Sequence, residues 1–264
     1  MLFAQLSDPH IMGPGENPHG TAPAGANLSR AIAQINAMKP RPAFVMVTGD
    51  ITDKGLEEHA REAARLLSAL DIQWFVIPGN HDRRESLRAA FPQENLPGGD
   101  DGFLHYAFSS EGMRFIALDT LHPGRPGGRL CAARLAWLKA RLDEEPDAPT
   151  VLFMHHSPVK FGILETDEDG FEGADELGDL LRERGNVARI MCGHTHLSLF
   201  APWHGVIVST APTTSGMRLA LDLTMQKPSA FHLDDAAWHL HRLTDGGIQT
   251  FYVSAHNHDT QHLF

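Results

Sequence analysis

Acidic and imidazole side chains follow each of five short apolar runs along this chain. The five segments are Asp8-Pro9-His10, Gly49-Asp50, Gly79-Asn80-His81-Asp82, His155-His156 and Gly193-His194-Thr195-His196. Carboxylates and imidazoles without thiolates suit zinc, iron, manganese or cobalt better than an iron–sulfur cluster. The residue types therefore predict a metal site, provided that the fold brings the five segments together.

The order of the apolar runs predicts how the segments are positioned. Strand-length runs at Leu2–Leu6, 43–47 and 72–77 alternate with segments of helical periodicity at 27–38 and 56–70. This order predicts a largely parallel sheet that helices cover on both faces. Because ligands bind at the carboxyl ends of strands in such sheets, we expect the five segments to converge on one rim.

The rest of the chain continues this pattern and ends in a β-rich tail. Further strands are predicted at 103–108, 113–118, 150–154, 188–192 and 206–209, with a helix at 131–142. The acidic stretch 165–176 is predicted to be a solvated loop with the start of a helix. We divide the chain into a catalytic domain, residues 1–212, and a C-terminal β-hairpin appendage, residues 213–264, for which oligomerisation is one interpretation.

Seven side chains in these segments are candidate ligands: Asp8, His10, Asp50, Asn80, His155, His194 and His196. Seven ligands are too many for one tetrahedral ion, but they suit two ions that share one bridging carboxylate. Two ions about 3.5–4 Å apart can clamp a phosphoryl group and deprotonate a bridging water. The ligand set therefore points to hydrolysis of a phosphate ester.

The composition restricts the partners of such a site. The chain has 33 acidic and 22 basic residues and a net charge of -11, so its surface should repel nucleic-acid polymers and anionic membranes. A small phosphorylated substrate stays compatible, because metal charge can dominate the field inside a pocket. The two cysteines, Cys131 and Cys192, form no C-x-x-C pattern, and the first residues read neither as a signal peptide nor as a membrane segment. We expect a cytoplasmic protein.

The ordered motifs D-x-H, G-D-x-x-D, G-N-H-D, H and G-H-x-H resemble the signature of the calcineurin-like metallophosphoesterases, and here they lie between Leu2 and about Pro212. The resemblance implies an α/β fold, a four-layer α/β/β/α sandwich, followed here by the small C-terminal β appendage. Within that superfamily, the sequence of residues 154–158 and the β-rich tail resemble those of the bacterial class III cyclic-nucleotide phosphodiesterases and glycerophosphodiester phosphodiesterases.

The family's roles carry over to the matching positions. The resemblance implies one ion held by Asp8, His10, Asp50 and His196, and a second held by Asp50, Asn80, His155 and His194. Asp50 would then bridge two divalent or trivalent ions (iron, manganese, zinc or cobalt), and a shared hydroxide would attack phosphorus in line with the leaving alkoxide. His81 would bind a phosphate oxygen or protonate the leaving group, a task that suits a residue titrating near neutrality, and Asp82 would orient it.

Two histidine pairs are interpreted from strand geometry. His155 and His156 are adjacent, so in an extended segment they point to opposite sides, which favours His155 as the ligand and leaves His156 to assist the substrate. His194 and His196 are two apart, so an extended H-x-H segment places both imidazoles on the same side. We predict that these two serve neighbouring ions.

Other polar residues have simpler interpretations. Asp53, like Thr52, is predicted to cap the helix that begins near Leu56. His239 and His241 lie on one face of a tail strand and are predicted to be solvated or interfacial.

One position departs from the glycerophosphodiester-cleaving relatives. They are expected to carry a histidine shortly after the S-T-x-P segment, where this chain has Gly216. Arg218 is either a compensating substrate contact or a surface residue. The natural substrate therefore stays open between a 3′,5′-cyclic nucleotide and a glycerophosphodiester.

The main hypothesis from the sequence is a dinuclear metal-dependent phosphodiesterase with a small-molecule substrate. The alternatives are a phosphomonoesterase of the same superfamily and a metal-free scaffold with this fold. The scaffold is disfavoured because all seven candidate ligands and His81 are present. We expect a homo-oligomer, with neither a nucleic-acid polymer nor a membrane as partner.

Overall fold

Two β-sheets form the centre of the protein, and helices flank them. The computed structural model describes residues 1–98, 101–224, 226 and 229–256. The strands are β1 (Leu2–Leu6), β2 (Phe44–Thr48), β3 (Gln73–Ile77), β4 (Tyr106–Ser110), β5 (Met113–Leu118), β6 (Gly128–Arg129), β7 (Thr150–Met154), β8 (Phe171–Glu172), β9 (Val187–Cys192), β10 (Leu199–Trp203), β11 (Val206–Thr210), β12 (Met217–Leu219), β13 (Phe231–Leu233), β14 (Ala237–Thr244) and β15 (Gly247–Ser254). The helices are α1 (Ala24–Ala37), α2 (Glu57–Leu67), α3 (Arg84–Ala90), α4 (Ala132–Glu144), α5 (Leu164–Asp169) and α6 (Ala174–Arg184).

The first sheet has the order β15-β14-β1-β2-β3. Strands β1, β2 and β3 run parallel, as their alternation with helices predicts. Strand β14 pairs antiparallel with β1, with Leu2 opposite Arg242 and Gln5 opposite His239. The hairpin predicted in the tail therefore forms, and it completes the first sheet. The domain division at residue 212 stays a prediction.

The second sheet has the order β10-β11-β9-β7-β5-β4. Its four central strands are parallel, and β4 and β10 add antiparallel edges. The alternation of strands and helices by itself predicts one largely parallel sheet, whereas the structure divides the strands between two sheets, the number that the family resemblance implies. Strands β1, β2 and β3 end on the first sheet and β7 and β9 on the second, so the five ligand-bearing segments come from both.

The strands of the second sheet are continuous apolar runs in the sequence because their side chains alternate between two faces that are both buried. Phe115 and Phe153 point toward the first sheet, where their rings lie 5.4 and 6.1 Å from that of Phe3. Their neighbours Ile116 and Leu152 belong to a second apolar cluster that includes side chains of α4 and α6. Both faces of this sheet are therefore buried, as in parallel sheets that other layers cover.

The tail histidines contradict the expectation of a solvated face. His239 and His241 are both 0% exposed, because β14 lies inside the first sheet between β15 and β1. The His241 ring stacks on Phe3 at 4.8 Å, and the His239 ring lies 6.0 Å from Phe200 of the second sheet.

The stretch 165–176 is more ordered than predicted. It contains part of α5, the short strand β8 and the first turn of α6. Within the described ranges, every helix is too short or too polar to cross a bilayer.

Candidate metal centre

The five polar segments meet where the two sheets come together. The loop after β1 hydrogen-bonds to the loop after β2, with Asp8 N donating to Gly49 O at 3.1 Å and His10 N to Asp50 O at 2.9 Å. Across the sheets, His194 N donates to both carboxylate oxygens of Asp8 at 3.1 Å. These backbone bonds fix the loops that carry the predicted ligands.

Five of the predicted site residues have a left-handed backbone. The φ angles are 51° at Asp8, 47° at His10, 47° at Asp50, 69° at His194 and 54° at His196. Residues other than glycine rarely adopt this conformation, and such strain is concentrated at functional sites. The surrounding hydrogen bonds hold these side chains in positions that a relaxed loop would not give.

The first group of ligand atoms comes from Asp8, His10, Asp50 and His196, and these atoms lie within 4.8 Å of one another. His196 Nε2 is 3.5 Å from Asp8 Oδ1, and His10 Nε2 is 3.7 Å from Asp50 Oδ2. The same two imidazole nitrogens, His10 Nε2 and His196 Nε2, are 3.0 Å apart.

The second group forms on the other side of Asp50. His155 Nε2 lies 3.4 Å from Asp50 Oδ2 and 3.1 Å from Asn80 Oδ1. The His194 ring is 5.2 Å from that of His155, and ligand atoms of His155, His156 and His194 lie within 4.8 Å of one another. Asp50 thus contacts both groups, and the structure brings together all seven predicted ligands.

Backbone carbonyls orient the imidazoles of this centre. His155 Nδ1 donates to Thr48 O at 2.7 Å, and His196 Nδ1 donates to Met217 O at 2.6 Å. With Nδ1 donating to a carbonyl, each Nε2 is the nitrogen that faces the carboxylates, an arrangement typical of metal-ligating histidines. This position beside buried carboxylates, which favours positive charge, fits a bound cation.

The charges of the centre favour that fit. Burial raises the pKa of Asp50, but His155 and His81 more than offset burial and hold it well below the usual range. Burial lowers the pKa of His155, yet Asp50 outweighs burial and raises it to about 9. Burial and the neighbouring His155 lower the pKa of His194 to about 3. At neutral pH the carboxylate is ionised and His194 is neutral, which are the forms that bind metal, and an ion at His155 Nε2 would displace the proton that the raised pKa keeps there.

His81 lies at the edge of the centre, where its ligand atom converges with those of His10 and Asp53 to within 4.8 Å. Its backbone N donates to Asp50 Oδ1 at 2.9 Å, and its ring packs edge-on against His10 at 4.7 Å. The ring Nδ1 donates to Asp53 O at 2.7 Å, which leaves Nε2 as the free nitrogen. The charge of Asp50 raises the pKa of His81, so a larger fraction of His81 is protonated near neutral pH.

Asp82 occupies a different position from the one that the sequence predicts. Its carboxylate accepts hydrogen bonds from the backbone N of Ile51 (3.0 Å), Thr52 (2.8 Å) and Gly79 (2.9 Å). The acceptor that orients the His81 ring is the Asp53 carbonyl. Asp82 therefore joins the loops after β2 and β3, and burial raises the pKa of its carboxyl to about 6.

The capping role predicted for Asp53 is wrong. Helix α2 begins at Glu57 after Leu56, and no side chain caps it. Asp53 Oδ1 lies instead 3.4 Å from His10 Nδ1. The G-D-x-x-D motif indicates a place for Asp53 beside the metal centre, whereas the spacing to the following helix favours helix capping.

The interpretation of the two histidine pairs assumes that they lie in extended strands. It does not hold, because β7 ends at Met154 and β9 ends at Cys192, before the histidines. The rings of His155 and His156 are only 4.7 Å apart, and His156 Nδ1 hydrogen-bonds to Thr120 Oγ1 at 2.8 Å. His194 and His196 are left-handed rather than extended, yet their ligand atoms fall in different groups.

The structure explains why Gly216 has no side chain. Its φ is 87°, and a Cβ there would lie 2.6 Å from Asn27 Nδ2 and 2.7 Å from Asp234 O. A histidine at this position would require the loop to move. Arg218 Nε donates to Asp234 Oδ2 at 2.7 Å on the surface, which favours the surface interpretation.

A cavity of about 660 Å³ opens over the centre. Candidate ligands form its floor, and His19, Met217, Leu219 and Phe231 form part of its wall. Its volume is in the usual range for small-molecule sites.

Comparison with known proteins identifies the family. The model of the calcineurin-like phosphoesterases matches residues 1–198, most of the chain. The chain belongs to this family. Calcineurin-like phosphoesterases depend on two metal ions, consistent with the position of Asp50 Oδ2 near both His10 Nε2 and His155 Nε2.

Relatives of this calcineurin-like phosphoesterase include two bacterial proteins at 34% identity. One is a probable glycerophosphodiester phosphodiesterase GpdQ from Arcobacter nitrofigilis, aligned over 96% of this chain and 93% of the relative. The other is a probable cyclic nucleotide phosphodiesterase from Rhodopseudomonas palustris, aligned over 78% and 75%. The fold is similar to that of a dimetal phosphatase from Danio rerio, with a TM-score of 0.69, 17% identity and coverage of 97% and 99%.

Proposed function

We propose that this protein is a dinuclear metal-dependent phosphodiesterase that hydrolyses a small phosphodiester. The observation that carries the proposal is the position of Asp50, whose Oδ2 lies 3.7 Å from His10 Nε2 and 3.4 Å from His155 Nε2. One carboxylate thus joins two sets of ligands, as a dinuclear centre requires. The phosphodiesterase names of the 34% identical relatives support a diester as the substrate.

The two ligand groups suggest which residues hold each ion. We assign the first ion to Asp8, His10, Asp50 and His196, and the second to Asp50, Asn80, His155 and His194. The ions, when bound, would supply Lewis-acid activation of the phosphoryl group and of the attacking water. The mixed carboxylate and imidazole set suits iron, manganese, zinc or cobalt.

His81 is the residue of this chain that we assign to the leaving group. Asp53 O fixes its Nδ1–H, so protonation adds a donor at Nε2. The charge of Asp50 raises its pKa, which increases the fraction able to donate. In this assignment His81 hydrogen-bonds a phosphate oxygen and gives its proton to the departing alkoxide. Asp82 acts at a distance, by joining the two loops that present Asp50 and His81.

The substrate is proposed only as a class. A cavity of about 660 Å³ accommodates either a 3′,5′-cyclic nucleotide or a glycerophosphodiester, and the named relatives include both kinds of enzyme. Gly216 adds no side chain to the site, so the choice rests on the other wall residues. A homo-oligomeric state and a cytoplasmic location stay predictions.

The proposal is tested by metal analysis together with turnover. The expected result is two ions per chain and faster hydrolysis of bis(p-nitrophenyl) phosphate than of p-nitrophenyl phosphate. Faster monoester hydrolysis would favour the phosphomonoesterase. A metal-replete protein without diester hydrolysis would overturn the proposal, and a protein that binds no metal would favour the scaffold. Competition of cyclic AMP, glycerophosphodiesters and monoesters at equal concentration then ranks the natural substrates.

A further inference from the structure

A second cavity, of about 500 Å³, adjoins the one above the metal centre. The two cavities share Asp53, Asn80 and His81 in their linings. The far wall of the second cavity consists of residues that the catalytic assignment leaves unused: Lys54, Arg83, Arg84, Glu85, Leu121, Pro123 and Gly124. His81 therefore stands at the boundary between the metal centre and a separate space.

The basic residues of this second cavity differ in their partners. Arg84 is held in place by Asp119, with its Nε at 2.6 Å and its Nη2 at 2.8 Å from the carboxylate oxygens. Lys54 and Arg83 are exposed, and among the residues that the structure describes, neither has a carboxylate within 4.0 Å of its side-chain nitrogens. Both cations are thus available to a ligand.

Two of the three acidic residues in the described lining have partners other than Lys54 and Arg83. Asp53 faces His10 at 3.4 Å, and the Asp82 carboxylate is occupied by the backbone of the neighbouring loops. Among the lining residues that the structure describes, Glu85 is the one exposed carboxylate, and it lies with Lys54 and Arg83. The described lining thus has three basic and three acidic residues, and Lys54 and Arg83 are its basic residues without an ion-pair partner.

Gly55 places Arg83 close to the His81 loop. A Cβ at Gly55 would lie 2.7 Å from Arg83 Cγ and 3.0 Å from His81 O. The aliphatic part of Arg83 therefore lies against a bare backbone next to His81. A long charged side chain supported in this way keeps its stem packed and its guanidinium in solvent.

We propose that the second cavity binds the leaving alcohol of the substrate and that this alcohol carries a second anionic group, either a carboxylate or a phosphate monoester. The inference rests on the proposed function, in which His81 protonates the leaving group. The oxygen of water forms the new bond to phosphorus, and the bond from phosphorus to the alcohol oxygen breaks. That oxygen takes the His81 proton, while the water's protons pass to solvent and to His81. Lys54 and Arg83 bind the anionic group of the departing alcohol.

The test compares three diesters that differ only in one arm: ethyl propyl phosphate, ethyl 2-carboxyethyl phosphate and ethyl 2-phosphoethyl phosphate. Each competes with bis(p-nitrophenyl) phosphate on the metal-loaded protein. We expect at least one anionic diester to have a Ki about fivefold below that of the neutral diester, as one or two exposed charge pairs allow. The two anionic compounds separate a carboxylate site from a phosphate site. Salt should reduce the preference, because the cations are exposed.

The variant Lys54→Gln/Arg83→Gln tests the residues. Its Ki ratio between neutral and anionic diester should fall to within about twofold, with metal content unchanged. Arg88→Gln is the matched control, because Arg88 is an exposed arginine of the same helix α3 whose Nη2 donates to Phe103 O at 3.2 Å, outside both cavities. Arg88→Gln should keep the full preference.

Product analysis by ³¹P NMR tests the position of the arm. Ethyl phosphate as the main product places the anionic alcohol in the leaving position, and release of ethanol would contradict it. Equal Ki values for all three diesters, or a preference that survives Lys54→Gln/Arg83→Gln, would overturn the subsite. Failure of the proposed function looks different: the metal-loaded protein would hydrolyse none of the diesters, including bis(p-nitrophenyl) phosphate.

Discussion

Two sets of buried histidines in this protein differ in what surrounds them. At the metal centre, His155 and His196 each give Nδ1–H to a backbone carbonyl and face a carboxylate with Nε2. In the hairpin, His241 lies between Thr250 Oγ1 at 3.0 Å and Gln5 Oε1 at 3.1 Å. The first set is arranged around an ion, and the second satisfies neutral hydrogen-bond partners.

The pKa values express the same difference. Burial lowers the pKa of His239 to about 4 and that of His241 well below its usual range. Burial also lowers the pKa of His155, but Asp50 raises it to about 9. Burial, with the nearby charge of Arg189, therefore keeps the two hairpin imidazoles neutral, whereas the buried carboxylate beside His155 stabilises a positive charge. The carboxylate, rather than the number of histidines, distinguishes the metal centre.

Removal of that carboxylate should have the largest effect. Asp50→Ala should abolish loading of two ions and lower diester hydrolysis by about 10³-fold or more, because both ligand groups lose their shared oxygen donor. Metal analysis and turnover measure the two effects. Asp101→Ala is the control, because Asp101 pairs with His105 at 2.8 Å outside the centre and should leave the metal content unchanged. If Asp50→Ala still bound two ions, the shared carboxylate would not be what distinguishes the metal centre from the hairpin histidines.

His81→Ala separates catalysis from metal binding within the centre. The variant should keep two ions, because the His81 ring is not assigned as a ligand, while kcat falls by about 10²-fold for loss of a general acid. The fall should be larger for alkyl diesters than for p-nitrophenyl diesters, since a poor leaving group depends more on protonation. Full turnover with both substrates would show that His81 has no such role.

His241→Ala should affect stability and leave the metal centre intact. The substitution removes a buried ring that stacks on Phe3 and satisfies Gln5, so the free energy of unfolding should fall by about 2–3 kcal/mol. Urea unfolding measures this loss, and metal analysis should still find two ions. His232→Ala, on exposed β13, is the control and should unfold like the parent protein. Loss of metal in folded His241→Ala would remove the distinction between the two histidine sets.

The smallest expected effect is a pH dependence from His239. Its folded pKa of about 4 lies below the ordinary value of 6.5, so the unfolded chain binds more protons between these pH values. Its contribution to stability is complete above pH 6.5 and is lost as the pH falls toward 4. His239→Gln should therefore lose about 2 kcal/mol less than the parent between pH 7 and pH 5 in urea unfolding. Identical pH profiles would contradict neutral burial of His239.

The predicted elements agree best where apolar runs are sharply bounded. Residues 2–6, 113–118 and 150–154 are strands in the structure with these same bounds. Two predictions do not hold just beyond strand ends: the extended backbone expected at His194 and the helix-capping role expected for Asp53. There, loop backbone conformation replaces strand geometry, and hydrogen bonds from distant loops determine that conformation.

The sequence by itself determined the ligand types, their order at strand ends and the resemblance to the calcineurin-like family, because these depend on local pattern and motif spacing. The tertiary structure decided how the ligand-bearing loops are divided between the two sheets that the resemblance implies, and that the hairpin histidines are buried. It also decided that Asp53 contacts His10 and that a second cavity, with the unpaired Lys54 and Arg83 in its lining, lies beyond His81. Each of these features depends on contacts between residues far apart in the chain, which no local periodicity encodes.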